Sequence, residues 1–214
     1  MKFKNVLFDV DGTIVASEEG VIKSIEYALN KLGIYNYQRE VLIKFLGPPL
    51  SDSFMKYFNM TEDNAEKAVS FYRERYTDIG IYESTVYDGI PELLKSLKSN
   101  GVRLYTASSK PEKYVEKILK KTGLYDYFDF VAGASLDKSR KTKEEVLQYL
   151  IDKVNPDISE TVLVGDRFYD IVGAHHFGLK CIAVLYGYGD LKEFLQYNAD
   201  YIARTTADIE KLII

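Results

Sequence analysis

The sequence predicts an α/β fold, a doubly wound parallel sheet with a small all-helical domain inserted after its first strand. Two patterns carry the prediction. Short β-branched or aromatic runs at 3–8, 102–107, 128–132, 161–164, 181–185 and 199–202 alternate with helical stretches, as βαβ units with helices on both faces of a sheet require. Between the first and second of these runs, residues 17–82 hold several helical patterns and no convincing strand.

In chain order, the first run leads into Phe8-Asp9-Val10-Asp11-Gly12-Thr13, where glycine lets the chain turn. Val21, Ile22, Ile25, Ala28, Leu29 and Leu32 then recur at the spacing of one helix face, and Gly33 stops that helix. Phe45-Leu46-Gly47-Pro48-Pro49 breaks the insert. A second helix starts after Thr61, a hydroxyl N-cap followed by Glu62 and Asp63 in the first turn. Tyr87-Asp88-Gly89-Ile90-Pro91 precedes the helix that restarts the core. The implied division is a core of residues 1–16 and 83–214 around an insert of residues 17–82.

A length of 214 residues fits one core domain with an excursion, since single cores stop growing beyond roughly 250 residues. With 46% hydrophobic and 28% charged residues, the chain has the make-up of a folded protein rather than a disordered one. The formal net charge of −4 gives no reason to expect a nucleic-acid polymer or an anionic membrane as partner. Cys181, the single cysteine, lies in an apolar run and reads as buried packing. The opening segment has too few apolar residues for a signal-peptide core, and no run of about 18 apolar residues occurs. A cytoplasmic location and a monomer or homodimer are expected.

The chemistry concentrates at predicted strand ends. Asp9 and Asp11, two apart where the first strand meets a turn, can both aim into the crevice in which open α/β sheets bind ligands. Asp9 suits attack on phosphorus and can also hold a cation. Asp11 suits protonation of a leaving oxygen and later deprotonation of water. A bare Asp-x-Asp pair also fits a solvated turn. Thr106-Ala107-Ser108-Ser109-Lys110-Pro111 ends the second core strand, and Ser108 can donate to a phosphoryl oxygen or merely cap the helix. The basic segment Lys138-Ser139-Arg140-Lys141-Thr142-Lys143 opens a helix, and a lysine there can offset the charge of nucleophile and phosphate. Finally Thr161-Val162-Leu163-Val164 runs into Gly165-Asp166-Arg167-Phe168-Tyr169-Asp170, with Asp166 placed as a direct Mg²⁺ ligand and Asp170 as an outer one.

DVDGT, Ser108, Lys143 and GDRFYD stand in the order and approximate spacing of the four motifs of the haloacid dehalogenase superfamily. The chain resembles its phosphoglycolate-phosphatase-like branch from Val6 to the last strand. The resemblance implies a Rossmann-like catalytic core, a helical cap inserted after the first strand, and Mg²⁺ bound by the Asp9 carboxylate, the Asp11 backbone carbonyl and Asp166. It selects Ser108 over Ser109 and Lys143 over Lys141. It also implies substrate contacts from Gly12, Thr13 and Ser109, and from Gly47 and Pro48 where the insert's break resembles a substrate-specificity loop. Dehalogenase and phosphonatase relatives lack an acid matching Asp11, so phosphatase chemistry on a small phosphorylated metabolite, phosphoglycolate-like or a nucleoside 5′-monophosphate, is favoured. A phosphomutase would use the same motifs, and a non-catalytic phosphate-binding module would need one of them missing. Arg39, Lys44, Arg73 and Arg75 are cap cations that either meet a second anionic group or lie on exposed helix faces. The cap's many rings read as packing, and His175 and His176 as helix residues near the site's rim.

Overall fold

The computed structural model describes residues 1–137 and 139–214, so Lys138 of the basic segment lies outside the described residues. The chain divides into two compact units, one of Met1–Val15 with Val86–Ile214 and the other of Ala16–Thr85. Strand β1 (Asn5–Phe8) and the short β2 (Val15–Ala16) precede α1 (Glu18–Lys31), α2 (Arg39–Ile43), α3 (Leu50–Phe58) and α4 (Glu62–Tyr76). After β3 (Thr85–Val86), helices and strands alternate: α5 (Ile90–Ser99), β4 (Arg103–Pro111), α6 (Glu112–Thr122), β5 (Phe130–Ala134) and α7 (Lys143–Val154). The series ends with β6 (Thr161–Gly165), α8 (Phe168–His176), β7 (Lys180–Val184), α9 (Leu191–Gln196), β8 (Tyr201–Ala203) and α10 (Thr206–Ile213).

The larger unit is a sheet in the order β5-β4-β1-β6-β7-β8, every neighbouring pair parallel. β1 is central, and its Val6, Leu7 and Phe8 are completely buried, as an apolar run covered on both faces must be. One face buries Leu7, Leu163, Cys181 and Ala183 against Val146, Leu147 and Leu150 of α7 and Ile171 and Ala174 of α8. Cys181 is thus core packing. From β1 the chain fills one side of the sheet with β4 and β5, then crosses back to lay down β6, β7 and β8 on the other. That reversal opens a crevice at the carboxyl ends of β1 and β6, the position where such sheets bind ligands.

Two departures from the sequence pattern matter. β2 and β3 pair as a separate two-stranded ribbon, each too short to show a period. β4 runs beyond residue 107 to Pro111, and its register against β5 shifts between Ser108 and Pro111.

In the smaller unit, α1 buries Val21, Ile22, Ile25, Ala28 and Leu29, the face that the periodicity marks. Thr61 caps α4, its hydroxyl accepting from Asn64 N at 3.4 Å. Phe45 packs against Phe54, Tyr57 and Phe58 with ring centroids 5.0, 5.7 and 6.0 Å apart, so these rings are core. Three of the unit's candidate cations are engaged within it. Arg75 is bidentate to Glu83 at 2.8 and 2.9 Å and also donates to Ser24, Arg39 pairs with Glu18 at 2.9 Å, and Lys44 lies over the Tyr57 ring. Arg73, on α4, is half-buried. Among the described residues, no helix is long and apolar enough to cross a membrane.

Candidate active site

Asp9 stands one residue beyond Phe8, which is in register with Thr106 of β4 and Val164 of β6. Its backbone N–H donates to Val164 O at 2.9 Å, so the ladder with β6 continues through it and fixes where its carboxylate starts. The chain then turns tightly, with Gly12 N–H donating to Val15 O and both Ile14 and Val15 N–H to Val10 O. Gly12 has φ +82°, and a Cβ there would lie 2.1 Å from Asp166 Oδ2. Only glycine both adopts this turn and leaves Asp166 its place.

The turn brings four charged side chains together. Lys143, the first residue of α7, is held by a capping box in which Thr142 and Glu145 exchange hydrogen bonds. Its buried ammonium donates to Asp9 Oδ1 at 2.9 Å and to Ala107 O at 2.6 Å, and it pairs with Asp170 Oδ1 at 2.7 Å. The lysine thus spends two hydrogen bonds on Asp9 and Ala107 and meets Asp170 Oδ1 as an ion pair. Asp170 turns its other oxygen to the backbone N–H groups of Asp166 and Arg167 at 3.1 and 3.0 Å. Asp166 Oδ2 accepts from Tyr188 N at 2.7 Å.

Asp9, Asp166 and Asp170 offer carboxylate oxygens that all lie within 4.8 Å of one another, and all three residues are buried. Three carboxylates against one ammonium leave an excess of negative charge out of water. The titration behaviour expresses the crowding. Burial pushes Asp9 up to about 6 against the pull of Lys143, with Asp170 and Asp11 adding to the rise. Burial and then Asp9 and Asp170 push Asp166 well above the usual carboxylate range. For Lys143, burial alone would lower the value, but Asp170 and Asp9 outweigh it and hold the ammonium charged. A cluster of hard oxygen donors with surplus negative charge fits a cation such as Mg²⁺. Asp9 and Asp166 are the better direct ligands, because Asp170 commits Oδ2 to two backbone N–H groups and ion-pairs Oδ1 with Lys143, although that oxygen has no hydrogen bond.

Asp11 sits at the edge of this cluster. Its Oδ2 pairs with Lys110 at 3.0 Å, while its Oδ1 is buried and has no hydrogen-bond partner. Ser108, 1% exposed, accepts from Lys110 N at 3.3 Å, a bond that does not use the hydroxyl proton.

Asp9, Asp166, Asp170 and Lys143 thus meet in one cluster, with Ser108 at the adjoining strand end, as the motif order implies. Lys143, not Lys141, reaches Asp9, because Lys141 lies before the cap of α7, where its N–H donates to Glu145. Gly12 and Thr13, expected to touch substrate, are both enclosed; the Thr13 hydroxyl has no partner, and its carbonyl accepts from Tyr186 at 3.0 Å. Ser109 is half-buried. Gly47 and Pro48 lie in the turn between α2 and α3 of the smaller unit, Gly47 exposed with φ +107°. The placement of the histidines near the rim is corrected. His175 pairs with Asp200 at 2.9 Å, and Asp200 accepts from Cys181 N, which puts the pair at the amino-terminal edge of β7 and β8. α8 runs antiparallel to the strands, so its end lies at the edge opposite Asp9.

Sequence reasoning missed Lys110 and the 186–190 loop. That loop folds over the site: a Cβ on Gly187 would lie 2.4 Å from both Asp166 Cβ and Gly12 O. The signal was present in Tyr186-Gly187-Tyr188-Gly189, two glycines spaced as if for close backbone approach.

Comparison with known proteins places this geometry. The model of the haloacid dehalogenase-like hydrolase family matches residues 6–184. The 5′-nucleotidase of Pseudomonas aeruginosa is 36% identical over 213 residues, which cover 100% of this chain and 96% of that protein. The tyrosine-protein kinase PtkA of Mycobacterium tuberculosis is 34% identical over 204 residues, 95% of this chain and 67% of that protein. Among solved structures, a predicted phosphatase from Clostridium acetobutylicum matches with a TM-score of 0.95 at 41% identity, covering 100% of this chain and 99% of that one.

Proposed function

The chain belongs to the haloacid dehalogenase-like hydrolase family, and within it we propose a Mg²⁺-dependent phosphatase that cleaves a small phosphomonoester through an aspartyl phosphate on Asp9. One observation carries the reading: a buried carboxylate at the end of the central strand, tethered to Lys143 at 2.9 Å, with a second carboxylate, Asp11, two residues on that keeps a buried oxygen unpartnered.

With Oδ1 tethered, Asp9 Oδ2 is the oxygen that forms the bond to phosphorus as the ester P–O bond breaks. Asp11 gives its proton to the departing oxygen, then takes one from the water that attacks the aspartyl phosphate, so free phosphate leaves and Asp9 is regenerated. Ser108 donates its hydroxyl proton to a phosphoryl oxygen. Lys143 holds Asp9 in line and offsets negative charge without leaving its protein partners. Bound Mg²⁺, held by Asp9 and Asp166 with the Asp11 carbonyl, would supply the positive charge that lets an anionic nucleophile meet an anionic phosphate. The nucleotidase named above supports nucleoside 5′-monophosphates as substrates to test beside phosphoglycolate and sugar phosphates.

Phosphate release from those esters and an aryl phosphate, measured with Mg²⁺ and with EDTA, tests the proposal. Release that EDTA abolishes is the expected result. Release indifferent to EDTA, or isomerised sugar phosphate without free phosphate, would overturn it.

The 186–190 loop gives a separate prediction. Gly187→Ala has no room for its methyl group between Asp166 and Gly12, so it should displace the Asp166 carboxylate. Mg²⁺ affinity, read by titration calorimetry, should drop roughly 10- to 100-fold, the usual cost of disturbing what orients a ligand. Unchanged affinity would remove Asp166 from the metal site.

A further inference from the structure

Lys110 enters none of the steps above, yet its side chain is only 7% exposed and its ammonium lies 3.0 Å from Asp11 Oδ2. The backbone around it is built for that contact. β4 loses register with β5 between Ser108 and Pro111, and such a shift re-aims the side chains it carries. The Lys110 N–H is held by Ser108 Oγ at 3.3 Å. Opposite, Gly133 of β5 comes so near that a Cβ on it would lie 2.6 Å from Lys110 O. At the other end of the contact, Asp11 Oδ1 is buried without a hydrogen-bond partner. One oxygen of Asp11 is thus paired with the ammonium, and the other has no hydrogen-bond partner within the protein.

We propose that Lys110 is a positioning residue for the acid–base carboxylate: by holding Asp11 Oδ2, it turns Oδ1 toward the leaving oxygen of the substrate. The proposal rests on the assignment of Asp11 as general acid. In the step it serves, Asp9 Oδ2 bonds to phosphorus, the bond from phosphorus to the leaving oxygen breaks, and the proton on Asp11 Oδ1 moves to that oxygen.

The leaving group separates this role from a structural one. An alkoxide needs the proton, whereas p-nitrophenolate departs without it, and kcat/KM reports events up to departure of the leaving group. Lys110→Met, Lys110→Arg and Asp11→Asn are compared with the parent on the best alkyl phosphate of the panel and on p-nitrophenyl phosphate. Lys110→Met should lose roughly 10- to 100-fold in kcat/KM on the alkyl ester and less than about threefold on the aryl ester, a smaller version of the Asp11→Asn pattern. Lys110→Arg carries the same test if the methionine variant does not fold, and should keep more of the alkyl-ester rate. Equal losses on both esters would mean that Lys110 contacts the phosphoryl group or only the fold; together with no loss at all, that outcome overturns the proposal while Asp11→Asn stays selective. An unselective Asp11→Asn would instead overturn the acid assignment, and the proposal with it.

Discussion

Asp9→Asn should lose at least roughly 10⁴-fold in phosphate release and, in EDTA, melt at a higher temperature than the parent. The loss follows from chemistry: an amide cannot become an acyl phosphate, and no other carboxylate takes its place. Asp166 is bonded to Tyr188, and Asp170 is held by two backbone N–H groups and paired with Lys143. The gain follows from electrostatics. Asp9 is crowded by Asp170 and Asp11 in a water-poor site, and burial raises it to about 6 despite Lys143. Asparagine removes one of three clustered charges yet still offers an oxygen to the ammonium. Relief of about 1–3 kcal/mol is expected, the common trade between stability and a charged active site. Chelation matters, because a metal bound to Asp9 would reverse the sign. A normal rate would dismiss Asp9 as nucleophile, and a lower melting temperature would show that the Lys143 contact outweighs the crowding.

How much of this was legible depends on the range of the interaction involved. The sheet strands could be read because a parallel strand buried on both faces writes itself as an unbroken apolar run, as Val6 to Phe8 do. Asp9, Asp166 and Asp170 could be placed because strand ends converge at the switch point of any such sheet. What escaped was set by geometry with no sequence period. β2 and β3 are two residues each, and the register shift around Lys110 lies within an otherwise ordinary strand. Lys110 was therefore visible as a residue and invisible as a contact.

The same limit applies to helix direction. His175 and His176 follow the GDRFYD motif closely in sequence, which suggests proximity to the site. One helix length carries them to the far edge of the sheet, where Asp200 receives His175. By contrast, the basic segment marks a helix start and resemblance selects Lys143, whereas the capping box of Thr142 and Glu145, which sequence reasoning passed over, fixes the start of α7 from which Lys143 reaches Asp9. Capping is a local signal with a long-range consequence, since it sets which lysine of a basic segment enters the core.

Lys143→Met is expected to destabilise the chain by roughly 3–5 kcal/mol near neutral pH in denaturant titrations with EDTA. The lysine is 5% exposed and its ammonium meets Asp9, Asp170 and the Ala107 carbonyl. Methionine fills a similar volume, so packing is nearly conserved and the loss is electrostatic. Two carboxylates lose their counter-charge and one buried carbonyl loses its donor. Turnover should fall as well, on the order of 10²–10³-fold, because Asp9 loses its tether. The electrostatic account makes a sharper demand. Adding Asp170→Asn to Lys143→Met removes one of the stranded charges, while the asparagine oxygen can still accept from the Asp166 and Arg167 amides that Asp170 now serves. The double variant should therefore be more stable than the sum of the two single changes predicts, by roughly 0.5–3 kcal/mol. Strict additivity would mean that Lys143 and Asp170 do not act on each other despite their 2.7 Å approach, and the lysine would then be a packing residue whose charge the site does not need.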